Sequence, residues 1–190
     1  MTGPGSHGSP FPPRPSWDEY FMFVAKVAAS RSTCISRPVG GILVLDKQIL
    51  ATGYNGSMPG DTHCLDLGYC FKRQIQTGEH DKYDFCRASH AEANLMAQAA
   101  RKGIAVAGAT LYTTLMPCYT CTKLLSVAGI RGVIYEHIYE SSDPERDRFW
   151  REAIESRMEF RQLKIDGEII KNIYDSFLAD VTSRRRIPSA

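Results

Sequence analysis

Short apolar runs alternate with amphipathic segments over most of this 190-residue chain. One segment with helical spacing lies between the runs ATLYTTL and GVIYEHIY, and another lies between GVIYEHIY and EFRQLKI. Such alternation is typical of βαβ units with parallel strands. Two earlier runs, VGGILVLD and QILATGY, are separated by the polar Lys47, which favours a hairpin. The pattern therefore predicts an α/β fold, a three-layer αβα sandwich around a five-stranded mixed sheet.

Two serines have the spacing that marks the beginning of a helix. Ser16 with Glu19 forms a capping box and predicts a first helix over about 17–31. Ser89 with Glu92 has the same spacing and predicts a second helix over SHAEANLMAQAARKG, ended by Gly103. By itself, the second serine–glutamate pair has a purely structural explanation.

The composition is that of an ordinary globular domain, with 43% hydrophobic and 23% charged residues. A formal net charge of +2 gives no reason to expect a nucleic-acid or membrane partner. No apolar run approaches the roughly 18 residues of a membrane span, and the N-terminus has no signal-peptide pattern. We therefore expect a cytoplasmic location. In that reducing compartment, the six cysteines are expected to be thiols or metal ligands.

The chain divides by composition into three parts. Residues 1–15 are rich in Gly, Pro and Ser and are expected to form a disordered arm. Residues 16–166 form the main domain, interrupted by a Cys-rich insertion at 56–88 that shows no sustained periodicity. Residues 167–190 supply an amphipathic helix and a basic tail, and the apolar stripe of that helix must pack on the core or on another subunit.

Four residues at two predicted helix N-termini have the types and spacing of a zinc centre. His90 with Glu92 opens one helix, and Cys118 with Cys121 opens the next. One imidazole and two thiolates leave the fourth tetrahedral position of zinc for water, and a helix N-terminus favours the thiolate form of cysteine. Positions 90 and 92 lie roughly 200° apart on a regular helix, so they can converge only in an incomplete first turn. Alone, the Cys-x-x-Cys pair also fits a redox pair or half a zinc knuckle.

The combination of His-x-Glu and Pro-Cys-x-x-Cys is typical of zinc-dependent nucleobase deaminases. Over about residues 15–165 the chain resembles the deoxycytidylate (dCMP) deaminases of the cytidine deaminase-like superfamily. The resemblance rests on SWDEYFM, RSTCISRPVGG, ATGYNGSMPG, HCLDLGYC, SHAEANLM, GATLYTTLMPCYTC and AGIRGVIYE. It implies the cytidine deaminase-like form of the αβα sandwich.

This resemblance implies hydrolysis of dCMP to dUMP and ammonia, which supplies dUMP for thymidylate synthesis. Glu92 would carry protons between water, ring N3 and the departing amine, and the N–H of Ala91 would bind cytosine O2. Asn55 would contact the sugar and the base edge; alternatively it is an ordinary turn residue in a left-handed conformation. Ser36 and Arg37 are the phosphate candidates, and for Arg37 the alternative is a solvent-exposed turn.

The other four cysteines flank or lie within the unpatterned regions. The bacterial and phage dCMP deaminases that the chain resembles carry a second, structural zinc in this area, and Cys34 and Cys64 match its positions. Cys70 and Cys86 would complete a closed Cys₄ site. His63 is an alternative ligand for one sulfur. In the remaining interpretation the four cysteines bind no metal and act as small buried hydrophobes.

The resemblance also implies an assembly and its regulation. Many dCMP deaminases are hexamers that dCTP activates and dTTP inhibits, so we expect a homo-oligomer and Mg²⁺ bound with a dCTP effector. Arg101 matches a position implicated in the nucleotide response. A basic residue at a helix end also simply complements the helix dipole.

Four rival functions remain open at this point. Relatives that deaminate tRNA adenosine or free cytidine usually carry Glu before the Pro-Cys, where this chain has Met116. Two further alternatives are an enzyme for dCTP or a modified pyrimidine nucleotide and a catalytically silent, zinc-stabilised binding module. The intact Glu92 argues against the silent module, because a structural zinc site needs no proton carrier.

Overall fold

The computed structural model describes residues 14–74, 86–140 and 144–178. Most of the predicted N-terminal arm, the centre of the insertion and the basic tail lie outside these residues. The helices within them are α1 (Trp17–Ala29), α2 (Cys64–Leu67), α3 (Phe71–Gln74), α4 (Ala91–Lys102), α5 (Tyr119–Val127), α6 (Pro144–Glu155) and α7 (Gly167–Leu178). The strands are β1 (Gly40–Leu45), β2 (Gln48–Tyr54), β3 (Gly56–Ser57), β4 (Ala88–Ser89), β5 (Thr110–Leu115), β6 (Gly132–His137) and β7 (Glu159–Gln162). Within the described ranges, no helix has the length and apolar character that a membrane crossing requires.

Five strands form one mixed sheet in the order β2-β1-β5-β6-β7. β1 pairs antiparallel with both β2 and β5, whereas β5, β6 and β7 pair in parallel. α5 connects β5 to β6, and α6 connects β6 to β7, so each parallel crossover is made by one helix. The predicted hairpin and the predicted five-stranded mixed sheet are therefore confirmed.

Helices cover both faces of the sheet and bury one apolar cluster on each. On one face, side chains of α4, α5 and α6 meet the sheet around Leu43, Leu95, Leu111, Leu125 and Val133. On the other face, α1 and α7 meet it around Phe21, Met22, Ile42, Tyr112 and Ile134. This arrangement is the predicted three-layer αβα sandwich.

The first helix begins as its sequence predicts. Ser16 caps α1: the N–H of Glu19 donates to Ser16 Oγ over 3.3 Å, and the N–H of Ser16 donates to Glu19 Oε2 over 2.7 Å. The helix ends at Ala29, two residues before the predicted end at Arg31. The capping box supplies partners for two N–H groups at the start of α1, so the local sequence alone predicted where this helix begins.

The C-terminal helix packs on the core of its own chain. Ile169 and Ile170 of α7 contact the same cluster as α1. Further along α7, Tyr174 and Leu178 remain 57% and 69% exposed. The beginning of the apolar stripe, near Ile169, therefore packs against the core of the same chain, whereas the end of the stripe remains exposed. The rest of the predicted C-terminal segment, 179–190, lies outside the described residues.

The Cys-rich insertion contains only short elements in its described part. α2 and α3 have four residues each, and β3 and β4 have two residues each. β3 and β4 pair antiparallel, with Gly56 opposite Ser89. This small sheet joins the two ends of the insertion beside the start of α4.

The prediction that Ser89 caps the second helix is wrong. Ser89 belongs to β4, and α4 begins after it with His90 as the N-cap residue. With that cap, Glu92 lies one position too early for a capping box, which needs its glutamate at the third helical position. The pairing of Ser89 with Gly56, 33 residues earlier, overrides the local signal.

Candidate active site

Close packing between α4 and the sheet fixes the position of His90. Gly53 of β2 lies directly under this helix. A Cβ at Gly53 would lie 2.7 Å from Leu95 Cγ and 3.0 Å from the carbonyl oxygen of Ala91. Leu95 is fully buried in the core, so it cannot move away easily. Only glycine permits this approach, which holds the first turn of α4 against the sheet.

Cys118 and Cys121 are presented where β5 passes into α5. The N–H of Met116 donates to the carbonyl of His137 over 2.8 Å, which extends the β5–β6 pairing to the edge of the site. Cys118 is the N-cap residue of α5 and makes no side-chain capping bond, so its sulfur is available elsewhere. Thr122 Oγ1 donates to the Cys118 carbonyl over 3.0 Å and fixes this first turn.

The three predicted zinc donors converge. His90 Nδ1 lies 3.5 Å from Cys118 Sγ and 3.4 Å from Cys121 Sγ. The three donor atoms all lie within 4.8 Å of one another. Zinc binds nitrogen at about 2.0 Å and sulfur at about 2.3 Å, so tetrahedral donors lie roughly 3.5 Å apart. The donor set and its spacing therefore fit zinc.

Glu92 lies beside these donors and is 4% exposed. Its pKa is raised, chiefly because burial penalises the charged carboxylate, while the nearby His90 works in the opposite direction. His90 has an extended backbone, with φ −68° and ψ 153°, and Glu92 is in the first turn of α4. The incomplete first turn predicted from the sequence is therefore present, and it places imidazole and carboxyl on the same side.

The pKa values of Cys118 and Cys121 are shifted in opposite directions. The pKa of Cys118 is lowered to about 4, mainly because Cys121 donates a hydrogen bond to its sulfur and further because His90 lies beside it. The pKa of Cys121 is raised for the complementary reason, since it keeps the shared proton and is desolvated. A cation bound between the sulfurs would displace that proton, as metal binding to thiols requires.

A cavity of about 190 Å³ opens onto these groups. Its wall includes ten residues that the sequence singles out as catalytic, metal-binding or substrate-binding: Cys34, Ser36, Arg37, Asn55, Cys70, Cys86, His90, Ala91, Glu92 and Cys118. The N–H of Ala91 belongs to the first turn of α4, whose N–H groups have no partner within the helix. The cavity therefore combines a metal-ligand set, a buried carboxyl group and an available backbone donor.

A family model for the cytidine and deoxycytidylate deaminase zinc-binding region matches residues 15–137. The chain belongs to this family. The match includes every predicted catalytic-zinc ligand and Glu92.

Three similar proteins carry the comparison further. The chain is 40% identical to the deoxycytidylate deaminase of Schizosaccharomyces pombe over 66% of its own length, although it spans only 38% of that protein. It is 39% identical to the deoxycytidylate deaminase of Mycobacterium phage D29, over 64% of this chain and 95% of that one. The crystal structure of the dCMP deaminase of cyanophage S-TIM5 with dCMP and dUMP superposes with a TM-score of 0.62, at 25% identity, over 80% of this chain and 100% of that one.

Asn55 is buried, and most of its amide group is used within the protein. Its Oδ1 accepts from Ser32 Oγ at 2.6 Å and from the N–H of Val39 at 2.9 Å. Its Nδ2 donates to the carbonyl of Arg37 at 2.9 Å. Asn55 is not among the described non-glycine residues with positive φ, so the alternative of a left-handed turn residue is wrong. One Nδ2 proton remains for a ligand, so Asn55 orders the loop at 32–39 and also faces the cavity.

The two phosphate candidates lie on the cavity wall, and the effector candidate does not. Arg37 is exposed and Ser36 is partly exposed, and both line the cavity. Arg101 is exposed in the last turn of α4, and the cavity lining does not include it. Arg101 therefore has no role in this cavity through direct contact.

The four other cysteines are free thiols that the structure brings only partly together. Cys34, Cys70 and Cys86 are half-buried and line the cavity, whereas Cys64 is buried at the start of α2. In the described residues, the His90 group is the one set of three metal-ligating side chains whose donor atoms lie within 4.8 Å. The Nδ1 of His63 is buried without a hydrogen-bond partner.

Sequence reasoning missed three polar side chains of the cavity wall: Lys72, Arg73 and Tyr139. Lys72 and Arg73 lie in α3, and Arg73 Nη2 donates to Ser36 Oγ over 2.9 Å. A signal was present, because two consecutive cations follow directly on a Cys–Phe pair inside a segment already suspected of function. Nothing in the sequence indicated that this segment folds back towards Ser36.

Proposed function

We propose that the protein hydrolyses dCMP to dUMP and ammonia and so supplies dUMP for thymidylate synthesis. One observation carries the proposal: three zinc-type donors converge within 4.8 Å, and the buried carboxyl of Glu92 lies beside them. The named activity of the fission-yeast, mycobacteriophage and cyanophage relatives gives the substrate class.

The residues of the cavity bind and orient the substrate. The first-turn N–H of Ala91 donates to cytosine O2, and the remaining Nδ2 proton of Asn55 donates to the sugar. His90, Cys118 and Cys121 would hold zinc, which when bound supplies a water activated for attack at ring C4.

Glu92 moves the protons of the reaction. Its carboxyl accepts a proton of the attacking water and delivers it to ring N3; it then takes the proton of the hydroxyl group now on C4 and delivers it to the amine, which leaves as ammonia. A group that both accepts and donates near neutral pH needs a pKa closer to neutrality than that of an exposed glutamate. Burial of Glu92 raises its pKa in that direction.

The cavity wall favours this proposal over the rival enzymes. Met116 is 6% exposed and lines the cavity at the position where relatives that act on tRNA adenosine or free cytidine usually have Glu. An apolar side chain at that position offers a ligand no carboxylate acceptor. Deamination of dCTP or of a modified pyrimidine nucleotide is the second candidate, because the same zinc chemistry serves any cytosine ring that fits the cavity.

The test is a spectrophotometric assay with dCMP, dCTP, CMP and deoxycytidine. Deamination of cytosine lowers its ultraviolet absorbance. We expect dCMP to have the highest kcat/KM, and Glu92→Gln, which retains shape but cannot carry protons in the same way, to lose turnover by roughly a thousandfold. A preference for dCTP would select the second candidate. No turnover of any of the four would support the catalytically silent binding module.

We further propose a second, structural zinc held by Cys34, Cys64, Cys70 and Cys86, with His63 as the alternative ligand. Two observations support it. Cys86 is near enough to Cys34 and Cys70 for their charges to raise its pKa, after the larger effect of burial. The buried Nδ1 of His63 also lacks a partner. Metal analysis would give two zinc ions per chain, whereas a value of one would leave only the catalytic site.

We also propose a cytoplasmic homo-oligomer, a hexamer by resemblance, that responds to dCTP with Mg²⁺ and to dTTP. Large exposed apolar side chains support an assembly: Val127 is 90% exposed, and Phe149 is 75% exposed. Arg101 is exposed and accessible to an effector. Light scattering with and without each nucleotide tests the assembly. Loss of the dCTP response in Arg101→Ala, with basal activity kept, tests the regulatory role.

A further inference from the structure

The short helix α3 of the insertion brings two cations to the wall of the active-site cavity. Lys72 and Arg73 line this cavity together with Ser36 and Arg37 from the loop before β1. The family resemblance pointed only to the loop before β1 for the phosphate. The structure adds a second basic segment, 36 residues further along the chain.

Direct contact links the two segments. Arg73 Nη2 donates to Ser36 Oγ over 2.9 Å. This bond holds the guanidinium group at the cavity wall next to a hydroxyl group. A guanidinium beside a hydroxyl is a donor set that suits a phosphate group, because phosphate oxygens accept several hydrogen bonds and guanidinium binds them in pairs.

The charge of the lining agrees with an anionic ligand. Its described residues include three cationic side chains, those of Arg37, Lys72 and Arg73. Its one described carboxyl group is that of Glu92, which the proposed reaction uses beside the zinc donors. A nucleoside would leave the cations without a role in binding, whereas a nucleotide phosphate would use them.

We infer that Lys72 and Arg73 recognise the 5′-phosphate of the substrate, so that α3 of the Cys-rich insertion sets the preference for a nucleotide over a nucleoside. The inference rests on the proposed deaminase function. It assigns to the insertion a role in substrate selection that is separate from its proposed role in binding the second zinc.

Steady-state kinetics of Lys72→Ala, Arg73→Ala and the double variant test this inference with dCMP and deoxycytidine. We expect the KM for dCMP to rise about tenfold in each single variant and about a hundredfold in the double variant, with kcat changed less than about threefold. The kcat/KM for deoxycytidine should stay within about twofold, because the nucleoside has no phosphate. Arg73→Lys, which keeps the charge but loses the paired hydrogen bonds of the guanidinium group, should recover only part of the dCMP affinity.

Lys102→Ala and Arg148→Ala are matched controls, since both side chains are exposed and neither lines the cavity. They should keep the wild-type KM for dCMP. An unchanged KM in the double variant would overturn the inference and leave the deaminase function standing. Equal losses with dCMP and deoxycytidine would also overturn it, because they would show a structural effect. A wild-type protein that deaminates neither compound would instead refute the proposed function.

Discussion

Two regions of this molecule collect cysteine and histidine, and they do so in different ways. At the starts of α4 and α5, three donor atoms converge on elements that are anchored by Leu95 and Leu125, both fully buried. In the insertion, α2 buries only Cys64, and α3 buries no side chain completely. The core of the protein therefore determines the first arrangement. The described part of the second arrangement has little apolar burial, so it depends on polar contacts or a bound ion.

Specific contacts link the described parts of the insertion. Arg87 forms an ion pair with Asp61, and its guanidinium lies 5.1 Å from the ring centre of Phe71. These contacts join the two ends of the insertion to α3. A segment held in this way opens more easily than a core element, since its stabilising contacts are partly exposed to water.

The largest effect is expected for the loss of a catalytic-zinc ligand, compared with the loss of a cysteine of the insertion. Cys121→Ser should lose one zinc per chain and lower dCMP turnover by roughly a thousandfold or more, because the metal would have lost a thiolate ligand. Cys86→Ser is the matched control and should keep the catalytic zinc and a kcat within about threefold of wild type. Metal analysis and the dCMP assay on both variants check this. A Cys121→Ser protein with normal zinc content and turnover would contradict the account.

The second prediction compares the packing of the two regions. Leu95→Ala should lower the free energy of unfolding by about 2–5 kcal/mol, because it leaves a cavity in the core. Leu65→Ala, in α2, should change it by less than about 0.5 kcal/mol, because that side chain is 53% exposed. Urea unfolding of both variants gives the two values. Equal losses would show that the insertion is as well packed as the core.

The third prediction concerns the approach of α4 to the sheet. Gly53→Ala should cost about 1–3 kcal/mol of stability, because its Cβ would overlap Leu95. It should also lower kcat, since the start of α4 carries both His90 and Glu92. Urea unfolding and dCMP kinetics measure the two effects. Wild-type values for both would mean that the site does not depend on this contact.

The smallest effect is expected for the ion pair between Arg87 and Asp61 in the insertion. Arg87→Ala should change the free energy of unfolding by no more than about 1 kcal/mol, because its ion pair is partly exposed. Cleavage by chymotrypsin within the insertion should nevertheless become several times faster, and chelation of zinc should increase it further. Arg148→Ala is the control. Unchanged cleavage in Arg87→Ala would show that the contacts of Arg87 do not order the insertion.

The parts of the fold that depend on local patterns could be predicted from the sequence. The capping box at Ser16, the hairpin around Lys47 and the βαβ alternation each depend on neighbouring residues, and the structure has all three. The zinc donors were also predictable, because two short motifs at helix starts restrict which side chains can meet. Zinc binding depends on the residue types of these donors as much as on their positions.

The features that the sequence did not reveal depend on contacts between distant residues. The pairing of Ser89 with Gly56 moved the cap of α4 to His90, and the bond between Arg73 and Ser36 brought α3 to the cavity. Asn55 looked like a substrate contact, yet most of its amide group is bonded to the loop before β1. In each case the contacting residue is many positions away along the chain, so no periodicity or motif spacing could indicate the contact.

Anomalous diffraction at the zinc absorption edge, from crystals of the purified protein, tests the central claim most directly. The account predicts a zinc ion about 2.0–2.1 Å from His90 Nδ1 and about 2.3 Å from Cys118 Sγ and Cys121 Sγ, with Glu92 beside the ion and outside bonding distance. An ion bound directly by Glu92, or zinc found only among the cysteines of the insertion, would contradict it.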